Sequence, residues 1–186
     1  TDADIAVFAE LYASRAEEDA VPAGYSVLGE RGIAVTVLVA DRRGEYRIVA
    51  ADESGATSGI VVAPVNADSS SPTVVATHLV RPGLTDSELW EHGLDWVAAH
   101  CRGRNVLAVG DFNAAPVNMP GGRLGDCAAG ASIAASWPTW LPVAAGASID
   151  NVLAAPGWRI DEAVTLEAPG GESDHRPVFA ELVPAG

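Results

Sequence analysis

Short Val-rich runs, each closed off by Gly, Pro, Asp or Ser, recur along this chain and constrain its fold more than any other feature. They are Ile33–Val39, Tyr46–Ala50, Ile60–Val65, Thr73–Leu79, Val106–Val109, Ile149–Leu153, Ala163–Leu166 and Val178–Val183. β-Branched side chains suit a pleated, half-buried surface and the flanking residues favour turns, so each run is expected to be a strand. Asp41-Arg42-Arg43-Gly44 lies between two of them and reads as a hairpin turn. One helix stands out. Thr85 and Glu88 have capping-box spacing, Trp90, Leu94, Val97 and Cys101 follow at helical intervals, and Gly103 lies just past the end. It leads straight into Val106–Val109, so it is expected to cover a sheet face. Many strands with few helices imply an α+β fold of packed sheets with helices outside. The N-terminus is ambiguous: Ile5, Phe8 and Tyr12 fit a helix, while Ile5, Val7 and Ala9 fit a strand. Asn113–Ser136 is rich in Gly, Ala and Pro and reads as a loop with at most one short helix.

No repeat or long linker divides the 186 residues, a length that fits one domain with a sizeable core. Charge narrows the partners. There are 25 acids against 11 bases, for a net charge of -14, and every base is Arg. Such a surface repels polyanions and argues against tight metal-free DNA binding. It leaves room for a nuclease whose metal and local Arg residues offset the repulsion. The lack of Lys, with abundant Ala, Gly and Val, suggests a GC-rich bacterial genome. No apolar run is long enough to span a membrane, and none at the start resembles a signal peptide. The chain opens at Thr1-Asp2-Ala3-Asp4 without a Met, as a processed or trimmed product would. Cys101 and Cys127 leave two readings open, a disulfide clipping the segment that carries Asp111 and Asn113, or a pair of buried thiols.

Polar groups end several of the expected strands. His78 closes one apolar run, Gly110-Asp111-Phe112-Asn113 another, Ile149-Asp150-Asn151 lies on a third, and Ser173-Asp174-His175-Arg176-Pro177-Val178 opens the last. Alternation puts Asp111 and Asn113 on one side and Phe112 in the core. A carboxylate there can hold a water, and an amide can orient a phosphate oxygen. Taken alone, Gly-Asp and Asn are also turn formers. Asp150 can hold His175 in one tautomer and favour its protonated form. His78 can donate to a phosphate oxygen or pair with an acid, and as a bland alternative it is an edge-of-core His. Glu10 ends the run Ile5–Ala9 and is a plausible hard-metal ligand, or otherwise an exposed helix Glu. His92 and His100 belong to the helix and read as non-catalytic. Trp137-Pro138-Thr139-Trp140 reads as a loop packed on the core, with Trp contact to a substrate base or sugar as the alternative. Arg81 and Arg123 are candidate phosphate contacts. No Gly-rich phosphate loop, zinc-ligand spacing or nucleophile elbow is present.

Together these pieces resemble the endonuclease/exonuclease/phosphatase superfamily, which includes pancreatic-type deoxyribonucleases, apurinic endonucleases, sphingomyelinases and inositol-phosphate phosphatases. In the family's order they are Ala3–Leu11, Thr77-His78-Leu79, Gly110-Asp111-Phe112-Asn113, Ile149–Leu153 and Ser173–Val178, spanning almost the whole chain. Gly-Asp-Phe-Asn and Ser-Asp-His are highly specific when they occur together. The resemblance implies a four-layer αββα sandwich of two mostly antiparallel sheets with outer helices, a single domain over 1–186, and Ile5–Glu10 as a strand. It implies Glu10 as main ligand of Mg²⁺ or Mn²⁺ with Asp174 nearby. It also implies Asp111 as the group that orients or deprotonates the attacking water, Asn113 as a phosphate-positioning amide, His175 supported by Asp150 as transition-state stabiliser, and His78 as a second phosphate contact. The expected activity is metal-dependent hydrolysis of a phosphate ester, in a nucleic acid, a phospholipid head group or a small molecule; no protein partner is indicated. Members normally carry an earlier strand ending in an Asn near the metal, followed by a helix. This sequence starts after that point, so a truncated enzyme is expected, or alternatively a silent binding domain that keeps the fold. Related proteins of GC-rich bacteria often act outside the cytoplasm, which places this one on the extracytoplasmic side.

Overall fold

The computed structural model describes residues 2–18, 21–52, 54–66, 68, 70–83, 85–119, 124–130, 134–167 and 173–186. Eleven strands and two helices follow one another among them: β1 (Ile5–Ala9), α1 (Ala13–Glu18), β2 (Tyr25–Gly29), β3 (Val35–Ala40), β4 (Tyr46–Ala51), β5 (Thr57–Pro64), β6 (Thr73–Leu79), α2 (Ser87–His100), β7 (Val106–Asp111), β8 (Ala129–Gly130), β9 (Asp150–Ala154), β10 (Trp158–Thr165) and β11 (Val178–Pro184). The fold is mixed α+β. Every Val-rich run supplies a strand, and the ambiguous N-terminal segment is a strand rather than a helix. Pairing against β3 decides it, through the antiparallel register Ile5↔Val39 to Ala9↔Val35.

Hydrogen bonding sorts the strands into three sheets rather than two. The largest has the order β4-β5-β6-β7-β9-β8, a second β1-β3-β2, and the third is the β10-β11 pair. Only β6 and β7 run parallel. A parallel neighbour needs a crossover, and α2 supplies it. One face of the large sheet meets β3: Val35, Val37 and Val39 pack on Ile60, Val62, Val74 and Ala76. The other face is covered by α2, whose Trp90, Leu94 and Val97 meet Val61, Val75 and Phe112. Leu107 and Ala154 pack on Trp158 beneath β10 and β11. Both faces of the large sheet are thus dry around β6 and β7, which explains their unbroken apolar sequences.

Two local expectations are corrected and one open alternative is decided. Asp41–Arg43 forms a 3₁₀ turn ending at Gly44 (φ 81), but it is no hairpin, because β3 and β4 lie in different sheets. Both edges of β3 are already taken by β1 and β2, so β4 has no partner there. The helix begins at Ser87 with Asp86 as N-cap and no side-chain capping bond, so the Thr85/Glu88 box does not form. Cys101 and Cys127 are joined as a disulfide that ties the end of α2 to the loop after β7. No helix among the described residues is long and apolar enough to cross a membrane.

Candidate active site

Strand register alone brings three of the polar groups together. His78 at the end of β6 lies opposite Asp111 at the end of β7, and Asp111 lies opposite Asp150 at the start of β9. Gly110 makes the first approach possible: a Cβ there would sit 1.9 Å from the Thr77 carbonyl oxygen, at φ 143. Phe112 then turns into the core, fully buried, and its carbonyl accepts the indole N–H of Trp90. The alternation places Asp111 at the mouth, as expected. The chain leaves β7 through Asn113 at φ 50, a left-handed conformation that Asn tolerates. Asn113 N–H donates to Asp111 Oδ1 at 2.7 Å and its side-chain amide donates to the Leu79 carbonyl at 2.8 Å. The amide therefore bridges the ends of β6 and β7.

His175 enters from the segment before β11. Its Nδ1 bonds Asp150 Oδ2 at 2.8 Å, leaving Nε2 turned to the cleft, 3.9 Å from Asp174 Oδ1. Asp111, Asp150 and His175 have ligating atoms all within 4.8 Å of one another. On the opposite wall, Glu10 follows β1 at φ 58, a costly conformation for a residue with a long side chain. Its Oε1 is 3.8 Å from His78 Nε2, which is also 3.7 Å from Asp111 Oδ2. Glu10, His78, Asp111, Asn113, Asp174 and His175 line a single open cleft of about 1330 Å³, and Asp150 reaches it through His175.

Electrostatics divides their roles. Burial pushes the Asp111 carboxyl up to about 7, and the negative charge of Asp150 adds to this, against the opposing Asn113 N–H bond. His175 moves the other way from a buried base: the Asp150 hydrogen bond raises it above its ordinary value, outweighing desolvation. Burial holds His78 below its ordinary value, partly offset by Glu10. The cleft thus holds a carboxylate near half-ionisation at neutral pH, an imidazole biased toward its charged form by Asp150 and one biased toward its neutral form. Carboxylates dominate the donor set, and Asp111 is costly to ionise with no cation beside it. A hard divalent cation fits both facts.

His92 is exposed on α2, and His100 bonds the Trp96 carbonyl and stacks against the Trp96 ring, so neither joins the site. Arg81 lines the cleft, whereas Arg123 lies outside the described residues. In the Trp137–Trp140 loop Pro138 is buried, whereas neither Trp is. Trp137 lines the cleft and donates to Asp174 Oδ2 at 2.8 Å, and Trp140 is 73% exposed. Two supporting residues carry no sequence signal. The fully buried Ser136 hydroxyl accepts the Ile149 and Asp150 N–H groups, each at 3.2 Å, and fixes the start of β9. The Arg176 guanidinium donates to the carbonyls of Pro138, Thr139 and Leu141.

Among curated proteins no sequence match reaches significance. Solved structures share the fold at low identity. An endonuclease/exonuclease/phosphatase from Beutenbergia cavernae DSM 12333 is 19% identical with a TM-score of 0.65, over 98% of this chain and 63% of that one. The mannosyl-6-phosphatase of Bacteroides thetaiotaomicron VPI-5482 is 15% identical with a TM-score of 0.67, over 98% and 86%. The inositol polyphosphate 5-phosphatase domain of SPsynaptojanin, in complex with inositol (1,4)-bisphosphate and calcium ion, is 15% identical with a TM-score of 0.59, over 96% and 74%. The sequence profile of the Endonuclease/Exonuclease/phosphatase family matches residues 1–175, which include every candidate site residue; with the rim geometry above, the chain belongs to that family.

Proposed function

We propose that this chain is a divalent-metal-dependent phosphoesterase that cleaves its substrate by in-line attack of water on phosphorus. The observation that carries this reading is the convergence of Asp111, Asp150 and His175 within 4.8 Å, with Asp111 near half-ionisation and the Asp150 bond favouring the charged form of His175. Asp111 Oδ2, whose partner oxygen is occupied by Asn113 N–H, orients the water and takes its proton as the new P–O bond forms. His175 donates from Nε2 to a phosphoryl oxygen as charge builds, while Asp150 stabilises the imidazolium from Nδ1. His78 and Asn113 contact the same phosphate; the bond from phosphorus to the ester oxygen breaks, and that oxygen takes a proton from water to leave as the alcohol. Glu10 and Asp174 are the proposed holders of Mg²⁺ or Mn²⁺, which when bound would neutralise charge on the phosphoryl oxygens. The compactness of the Asp111–Asp150–His175 trio favours a second arrangement, in which those three hold the ion; Mn²⁺ affinity of Glu10→Gln against Asp150→Asn separates the two.

The calcium and inositol bisphosphate of the SPsynaptojanin domain support a metal and a phosphate-ester substrate. With a net charge of -14, small phosphate esters are favoured over duplex DNA. The disulfide supports an extracytoplasmic location. We further propose that the chain forms one αββα-layered domain. The test is Mn²⁺- and Mg²⁺-dependent hydrolysis of phosphomonoesters, phosphodiesters and DNA. Turnover that disappears in His175→Ala is expected. Absence of turnover, with and without an N-terminal extension, leaves a silent domain.

A further inference from the structure

We infer that Trp137 is a positioning residue for the proposed reaction, its indole N–H fixing the Asp174 carboxylate beside His175. The inference rests on the metal-dependent reading above. Asp174 is an open acid beside His175, with its side chain 63% exposed. An exposed carboxylate ordinarily samples several rotamers, and ordering it on a metal or substrate costs entropy. Here Trp137 Nε1 donates to Oδ2 at 2.8 Å, while Oδ1 remains 3.9 Å from His175 Nε2. The indole is a donor only, so the bond occupies Oδ2 and leaves Oδ1 for the cleft.

Both partners are themselves held. Trp137 exchanges backbone bonds with Ala147, donating its N–H at 3.0 Å and accepting at 2.7 Å. Gly146 allows that approach, since a Cβ there would lie 2.6 Å from the Trp137 carbonyl oxygen. On the other side Thr139 N–H donates to the Asp174 carbonyl at 2.8 Å, and Arg176 N–H to the Ser136 carbonyl at 2.7 Å. The Arg176 guanidinium then closes the loop through its three carbonyl contacts. Residues 136–141 and 173–176 therefore form one clamped unit, and the indole N–H is its point of contact with the chemistry. Ser136, next in the chain, fixes the backbone of Asp150, so one short segment aligns both acids that flank His175.

The experiment is a double-mutant cycle read by calorimetric Mn²⁺ binding on the wild type, Trp137→Phe, Asp174→Asn and the double variant, with thermal melts as fold control. Trp137→Phe is expected to weaken Mn²⁺ by about tenfold, as loss of an outer-shell partner does, and to change affinity less than about twofold once Asp174 is Asn. Equal losses in both backgrounds, or none, would overturn the inference in favour of plain packing. A wild type that binds no Mn²⁺ refutes the metal reading instead. Indole N–H exchange then decides the pairing, also if Trp137→Phe does not fold: one of the five Trp signals loses protection in Asp174→Ala, which leaves no oxygen to accept it, if the bond exists, and unchanged protection sinks it.

Discussion

Asp111 is the residue whose behaviour follows most directly from its surroundings. Its folded value, about 7, lies above the ordinary 3.8. Folding therefore takes up a proton between those values, so stability is complete below pH 4 and is lost as pH rises toward 7. Asp111→Asn removes the titrating charge but keeps an oxygen for Asn113 N–H. In metal-free protein the variant is expected to exceed the wild type at pH 8 by on the order of 4 kcal/mol and to match it near pH 4. Melts at the two pH values check this, and identical pH dependence would count against a buried, proton-binding Asp111. A second consequence concerns His175, whose charge depends first on Asp150. In Asp150→Asn the imidazolium is lost at lower pH, so the alkaline limb of any metal-dependent activity should shift downward, with a loss of about 10²-fold in kcat. An unshifted limb would separate His175 from that limb.

Among the elements, the β6–β7 junction is the least tolerant. Gly110→Ala would drive a methyl group into the Thr77 carbonyl, and separation of the strands would pull His78 away from Asp111. A loss of about 3 kcal/mol or more is expected in denaturant melts. A neutral result would mean the two strands are further apart than described. The disulfide closes a loop of 26 residues, and replacing both cysteines by Ser should cost ~3 kcal/mol. Sequence reading succeeded where one side chain's period determines its place. His78, Asp111 and Asp150 end strands, and register then does the rest. It failed where the outcome depends on distant partners. The Asp41–Gly44 turn signal is genuine, yet local turn chemistry cannot say that β3 is already flanked on both sides. β2, only five residues with a Ser and a Gly, is made a strand by pairing with β3. Ser136, Trp137 and Arg176 act through backbone groups and one indole N–H, and such contacts leave no motif.

For the molecule as a whole, Glu10 and His175 stand near opposite ends of the chain, so the cleft exists only once β1, the central sheet and the segment before β11 have all docked. The fold class was legible because the strand pattern repeats; the division into three sheets was not, since alternation does not name partners. That division leaves β1 paired only with β3, and β11 only with β10, among the described residues. Lone strand edges are templates for other chains. With a net charge of -14, copies of the protein repel one another at low ionic strength, and salt weakens that repulsion. Colloidal behaviour should thus run opposite to simple salting-in: sedimentation velocity is expected to show a monomer in dilute buffer and reversible self-association as salt is raised toward 1 M, through backbone pairing that the charge otherwise keeps apart.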